Sequence, residues 1–210
     1  MDDDGDPSTP YRADGNYGGY ANQLGYDGTG VVTAIADTGL GDSTTPNAGH
    51  NDFTSRVVGG IGYGSTTDWG DGHGHGTHCA GLMAGDTYDG NGVQYAGHGP
   101  YYTGQGLASD SDVYAQKIFD DGGGSQIPSD YCTIPEDAKQ NANAYVHSNS
   151  WGGGTGYGDS DVAYDRAARD ADSSASGNQP MVFSVAAGND GPSEGTVASP
   201  ALGKNVITVG

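Results

Sequence analysis

The chain has 210 residues, with 27 acidic against 7 basic side chains and a formal net charge of -20. That balance opposes a nucleic-acid backbone or an anionic bilayer as the main partner, since both would repel it. No apolar run approaches the roughly 18–20 residues a membrane span needs, and Met1 is followed by Asp2-Asp3-Asp4 rather than a basic, then apolar, leader.

Leu, Ile, Val and Phe make up about 13% of the chain, a level at which composition alone points toward disorder. The large apolar residues are concentrated in short strand-like runs, however, so a folded domain is expected. The acid excess is almost all Asp, against three lysines. It reads as a surface adapted to high salt or one that collects cations, because screening relieves self-repulsion.

In chain order, residues 1–29 are rich in Gly, Asp, Tyr and Asn and predict an irregular arm with a short helix near Tyr20–Leu24. Val31 to Ala36 is an almost wholly apolar run ending at Asp37-Thr38-Gly39, the pattern of a strand buried on both faces of a parallel sheet. Similar runs occupy Asp112–Phe119, Met181–Ala187 and Asn205–Val209, with helices predicted at His75–Ala84, Pro135–Val146 and Asp161–Ala171. This alternation predicts a doubly wound, mainly parallel α/β sheet flanked by helices over residues 30–210. The linking segments 38–56, 62–74, 85–106 and 120–134 are long and rich in Gly, Asp and Tyr, as functional or ion-bound loops are.

Three places combine a reactive side chain with a suitable setting. Asp37 ends a buried strand, where open α/β sheets gather ligands and catalytic groups, although Asp-Thr-Gly is also ordinary turn chemistry. In Asp71-Gly-His73-Gly-His75-Gly-Thr-His78-Cys79-Ala-Gly, the glycines let the backbone enter a helix tightly. There His75 can be oriented by a carboxylate on one ring nitrogen and act as a base with the other. Zinc ligation by Asp71, His73, His75 and His78 is the competing reading. Asn189, in Ala-Ala-Gly-Asn-Asp-Gly, can donate from a strand end into a cleft and oppose charge on a carbonyl oxygen, or simply form a turn.

Ala-Ile-Ala-Asp37-Thr-Gly, Gly-His75-Gly-Thr-His-Cys-Ala-Gly and Ala-Ala-Gly-Asn189, in this order, resemble the subtilisin-like serine peptidases (subtilases). The histidine block matches the proteinase K-like variant. The resemblance runs from about residue 26 to residue 210 and implies a subtilisin-like fold. It assigns Asp37 as the triad aspartate, His75 as the general base and Asn189 as the oxyanion-hole amide. Gly123-Gly124-Ser125 falls where the family pairs an edge segment with extended substrate. Ser150-Trp151-Gly152 falls where it lines the first specificity pocket from the other side, so a polypeptide substrate is implied.

The family's nucleophile motif, Gly-Thr-Ser-Met-Ala-like, does not occur, and the context of Ser193 does not match it. The expectation is therefore an incomplete catalytic domain, inactive by itself, whose serine lies beyond Gly210 or in a C-terminal fragment or second chain. The alternative is a non-catalytic subtilase-fold module that binds peptide or calcium. By resemblance, Cys79 is a buried free thiol beneath the catalytic histidine and sensitive to mercurials, although a 79–132 disulfide is also open. Secretion and structural calcium are implied too, with Asp86-Thr87-Tyr88-Asp89-Gly90-Asn91 offering hard oxygen ligands in flexible backbone.

Overall fold

The apolar run that predicts the first strand forms β1 (Val32–Asp37) at the centre of the sheet. In the computed structural model, which describes residues 25–86 and 106–210, β1 is buried from Thr33 to Asp37. The expected helix near Tyr20–Leu24 lies outside the described residues. The other strands are β2 (Val57–Gly62), β3 (Asp112–Lys117), β4 (Val146–Asn149), β5 (Val182–Ala186) and β6 (Ile207–Val209). They form one sheet in the order β2-β3-β1-β4-β5-β6, and every pairing is parallel.

Parallel strands in a sheet covered on both faces need apolar residues on both sides, and β1 and β3 supply them alternately. Ala34 and Tyr114 pack with Ala138, Ala163, Tyr164 and Phe183 on one face. That face is covered by α2 (Thr133–Ala142) and α3 (Asp159–Ala167). Ile35, Val113 and Ala115 pack with Ala80 and Ala84 on the other, against α1 (His75–Ala84). No helix among the described residues is long and apolar enough to cross a membrane.

Two strands differ from expectation. β2 is not predicted, because Gly59, Gly60 and Gly62 read as breakers. β4 takes Val146, which the sequence assigns to the end of a helix. That helix, α2, stops at Ala142: Asn143 is left-handed (φ 50°), and its N–H caps the carbonyls of Ala138 and Lys139. α3 begins two residues before the expected start and ends at Ala167.

The register aligns the carboxyl ends of the strands. Asp37 is level with Lys117 of β3, Ala36 with Asn149 of β4, and Asn149 with Val185 of β5. One edge of the sheet therefore carries Asp37, the residues just after Asn149, and the loop that follows Ala186.

Candidate active site

The site starts where β1 runs out. Asp37 is 1% exposed, and α1 opens at His75 directly against it. Gly74, the N-cap, takes a left-handed conformation (φ 96°) that a side chain would resist. Gly76 is needed for close approach, since a β-carbon there would stand 2.3 Å from the Gly39 carbonyl oxygen.

With the two elements in contact, His75 Nδ1 lies 2.7 Å from Asp37 Oδ1. The same oxygen accepts the Thr38 N–H at 2.7 Å. An ionised carboxylate only accepts, so it places the imidazole proton on Nδ1 and leaves the Nε2 lone pair free. The His75 side chain is 45% exposed and that of Asp37 only 2%, so a solvent-facing imidazole sits on a buried carboxyl group. Asp37 Oδ2 is buried and has no hydrogen-bond partner among the described residues.

Cys79 follows one helical turn later and is half-buried rather than buried, and both cysteines are free thiols. Its sulfur is 3.8 Å from His75 Nδ1 and 3.9 Å from Nε2. The sulfur is thus close to both ring nitrogens. Burial pushes the thiol pKa up, with Asp37 and Asp71 adding to the rise and a hydrogen bond with Ser150 opposing it.

Asp37, His75 and Cys79 form the one trio among the described residues whose donor atoms could share a metal ion. The competing zinc set of Asp71, His73, His75 and His78 does not converge among the described residues, and the Asp71 carboxylate is engaged by Thr38, Thr77 and Gly74. The acidic segment expected to ligate calcium falls, after Asp86, outside the described residues.

Two segments hold the residues expected to bind substrate: Gly123 to Ser125 are exposed, Ser150 and Trp151 are half-buried and Gly152 is exposed. In the first, an antiparallel bridge pairs Phe119 with Ser125. Between them Asp120 Oδ1 accepts the N–H groups of Gly122 and Gly124, at 3.0 and 2.8 Å, and Gly123 is left-handed (φ 80°). The second carries Ser150, Trp151 and Gly152. The Phe119 and Trp151 rings meet edge to face, 6.4 Å between centroids, so the two predicted substrate-binding segments are joined.

Asn149 Oδ1 holds the indole by accepting Trp151 Nε1–H at 3.2 Å and Tyr164 O–H at 2.8 Å. Gly152 leaves room for Ala198, whose Cβ would stand 2.9 Å from an added β-carbon. Gly153 and Gly154 pair with Ser199. Phe119 and Asn149 are contributions that sequence reasoning missed, as they match no motif.

Asn189 is exposed in the loop three residues beyond β5. Two strand spacings, roughly 10 Å, separate β5 from β1 across β4. The topology thus puts Asn189 on the same edge as Asp37. Ser193 lies in an exposed turn of the same loop.

The subtilase-family model (peptidase S8) matches residues 28–210. Subtilisin-like protease 2 of Pseudogymnoascus destructans is 33% identical over 196 residues, covering 90% of this chain and 40% of that protein. Alkaline serine protease ver112 of Corniculantispora psalliotae is 30% identical over 188 residues, covering 87% and 40%. Among solved structures, sphericase matches with a TM-score of 0.63 at 27% identity, over 87% of this chain and 53% of that one. The chain thus spans about two fifths of the length of these curated relatives.

Proposed function

This chain belongs to the subtilase family, and on that premise we propose that it supplies the aspartate, histidine and oxyanion-binding amide of a serine endopeptidase. The observation that carries the proposal is the 2.7 Å contact between Asp37 Oδ1 and His75 Nδ1, where β1 ends at Asp37.

Asp37 holds the imidazole in the Nδ1–H tautomer and stabilises the imidazolium that forms. His75 Nε2 takes the proton of a serine hydroxyl as its oxygen attacks the substrate carbonyl carbon, then delivers that proton to the leaving amine. Asn189 donates to the oxyanion. The serine is supplied from beyond Gly210 or from another chain. Extended substrate lies between Gly123-Gly124-Ser125 and Ser150-Trp151-Gly152, adding main-chain hydrogen bonds on either side. Action outside the cell is part of the same proposal and rests on the resemblance.

A fluorophosphonate probe tests the reading. The longest product of the gene should be labelled, and His75→Ala should reduce the labelling rate by at least about a thousandfold, while the 210-residue chain stays unlabelled. Labelling of the 210-residue chain would put the nucleophile elsewhere. A full-length product that binds peptide without labelling would make the protein a non-catalytic module.

A further inference from the structure

We infer that Asp71 is a positioning residue for the Asp37–His75 pair, acting through the hydroxyl of Thr38. The inference rests on the reading of that pair as the proton-transfer couple.

Asp71 accepts five hydrogen bonds on one carboxylate. Oδ1 takes Thr38 Oγ1–H at 2.8 Å, Gly74 N–H at 2.8 Å and His73 N–H at 3.2 Å. Oδ2 takes Thr77 N–H at 2.8 Å and Thr77 Oγ1–H at 2.6 Å. Burial opposes the charge of Asp71, but the bonds from Thr77, Gly74 and Thr38 outweigh it and hold the carboxyl below its usual range.

An acceptor-only group fixes the direction of both threonine hydroxyls. Each must point its single proton at Asp71 and turn its lone pairs away. The Thr38 lone pair then receives the Gly76 N–H at 2.8 Å, one residue after His75. The Thr77 lone pair receives the Gly41 N–H at 3.0 Å, in the loop leaving β1. Meanwhile the Thr38 N–H donates to the Asp37 oxygen that bonds His75.

Asp37 and His75 come from separate elements, and their 2.7 Å contact depends on how the end of β1 sits against the first turn of α1. The two hydroxyls are polar pins between those elements, and Asp71 sets both. An asparagine keeps the volume but presents an amide N–H toward Thr38 or toward Thr77, so one pin must reverse or break. Removing a partner from such a shared network generally perturbs more than one bond.

Histidine-labelled nuclear magnetic resonance on the 210-residue chain tests this without catalysis. The wild-type chain should show a low-field His75 Nδ1–H resonance that exchanges slowly with water. In Asp71→Asn, with the circular dichroism unchanged, that proton should exchange at least about tenfold faster or broaden away. Thr38→Val leaves the charge at 71 in place and should do the same, whereas Thr38→Ser should restore the wild-type signal. A folded Asp71→Asn or Thr38→Val chain with an unaltered resonance overturns the positioning role and leaves the pair intact. A wild-type chain without the resonance overturns the pair itself, and the proposed function with it. Should Asp71→Asn fail to fold, the contrast between Thr38→Val and Thr38→Ser decides.

Discussion

His147 stands fully buried in β4, its ring 5.4 Å from that of Phe183 and 6.1 Å from that of Tyr164. Gln116 Nε2 donates to Tyr63 Oη at 2.7 Å and to the Ile134 carbonyl at 2.8 Å. Its Oε1 is therefore the acceptor that faces His147 Nε2 at 2.8 Å, which puts the imidazole proton on Nε2. His147 Nδ1 is buried with no partner among the described residues. Burial pulls the His147 pKa down to about 3, below an unfolded value of about 6.5. As pH falls through 6.5 the unfolded chain gains a proton that the folded chain refuses. The contribution to stability is thus complete above pH 6.5 and is lost progressively toward pH 3, at up to about 1.4 kcal/mol per unit. Asp137, at the other end of the chain of bonds through Tyr63, has its carboxyl pushed up by burial and works in the opposite sense. His147→Gln keeps a donor toward Gln116 and removes the titration. Urea unfolding between pH 6.5 and 5 should show a flatter loss of stability in this variant than in wild type, and equal slopes would mean that His147 takes up a proton in the fold.

The element boundaries carry their own test. At the end of α2, Asn143 (φ 50°) donates its N–H to the Lys139 carbonyl at 2.9 Å. Asn tolerates that conformation better than most residues, and Gly better still. Asn143→Ala should therefore lower stability by about 1 kcal/mol, and Asn143→Gly should leave it nearly unchanged, as read from urea midpoints. Equal losses would trace the effect to the 3.4 Å bond from Asn143 Nδ2 to Tyr145 Oη. Asn143 also shows why the sequence misplaces this boundary: Pro135 to Val146 keeps a helical pattern, and the stop is one residue's backbone. β2 was illegible for a tertiary reason. A β-carbon on Gly60 would stand 2.5 Å from Trp69 Cγ, and one on Gly62 would stand 2.3 Å from the Asp68 carbonyl oxygen. Those glycines make room for the loop that leads to α1, which no local pattern reveals. β1 and α1 were legible because apolar β-branched runs and a His-Gly-Thr-His helix start are local signals. Asp37 and His75 were readable for the same reason. The hub at Asp71 was not, since its five donors come from residues 38, 73, 74 and 77 and converge only when β1 meets α1.

The whole molecule carries a net charge of -20, and the folded chain brings some of those carboxylates together. Arg56 donates to the carbonyls of Ala84 and Ser111, at 2.7 and 3.0 Å. The charges of Asp86, Asp110, Asp112 and Asp52 all act on it. Beside it, burial pushes the Asp110 carboxyl up, with Asp27 and Asp86 adding to the rise and Arg56 opposing it. One cation thus serves several anions, and the surplus repulsion is left to the solvent. Raising NaCl from about 0.01 to 1 M shortens the screening length from about 30 to 3 Å. Screening should weaken repulsion between distant carboxylates more than the contacts Arg56 makes at hydrogen-bond range. The melting temperature should therefore rise with NaCl, by on the order of 5 °C or more, and KCl should act equally at matched ionic strength. A flat curve would show that the acid excess is not a burden on the fold. A rise that saturates at millimolar calcium but ignores NaCl would assign it to a bound ion instead of to screening.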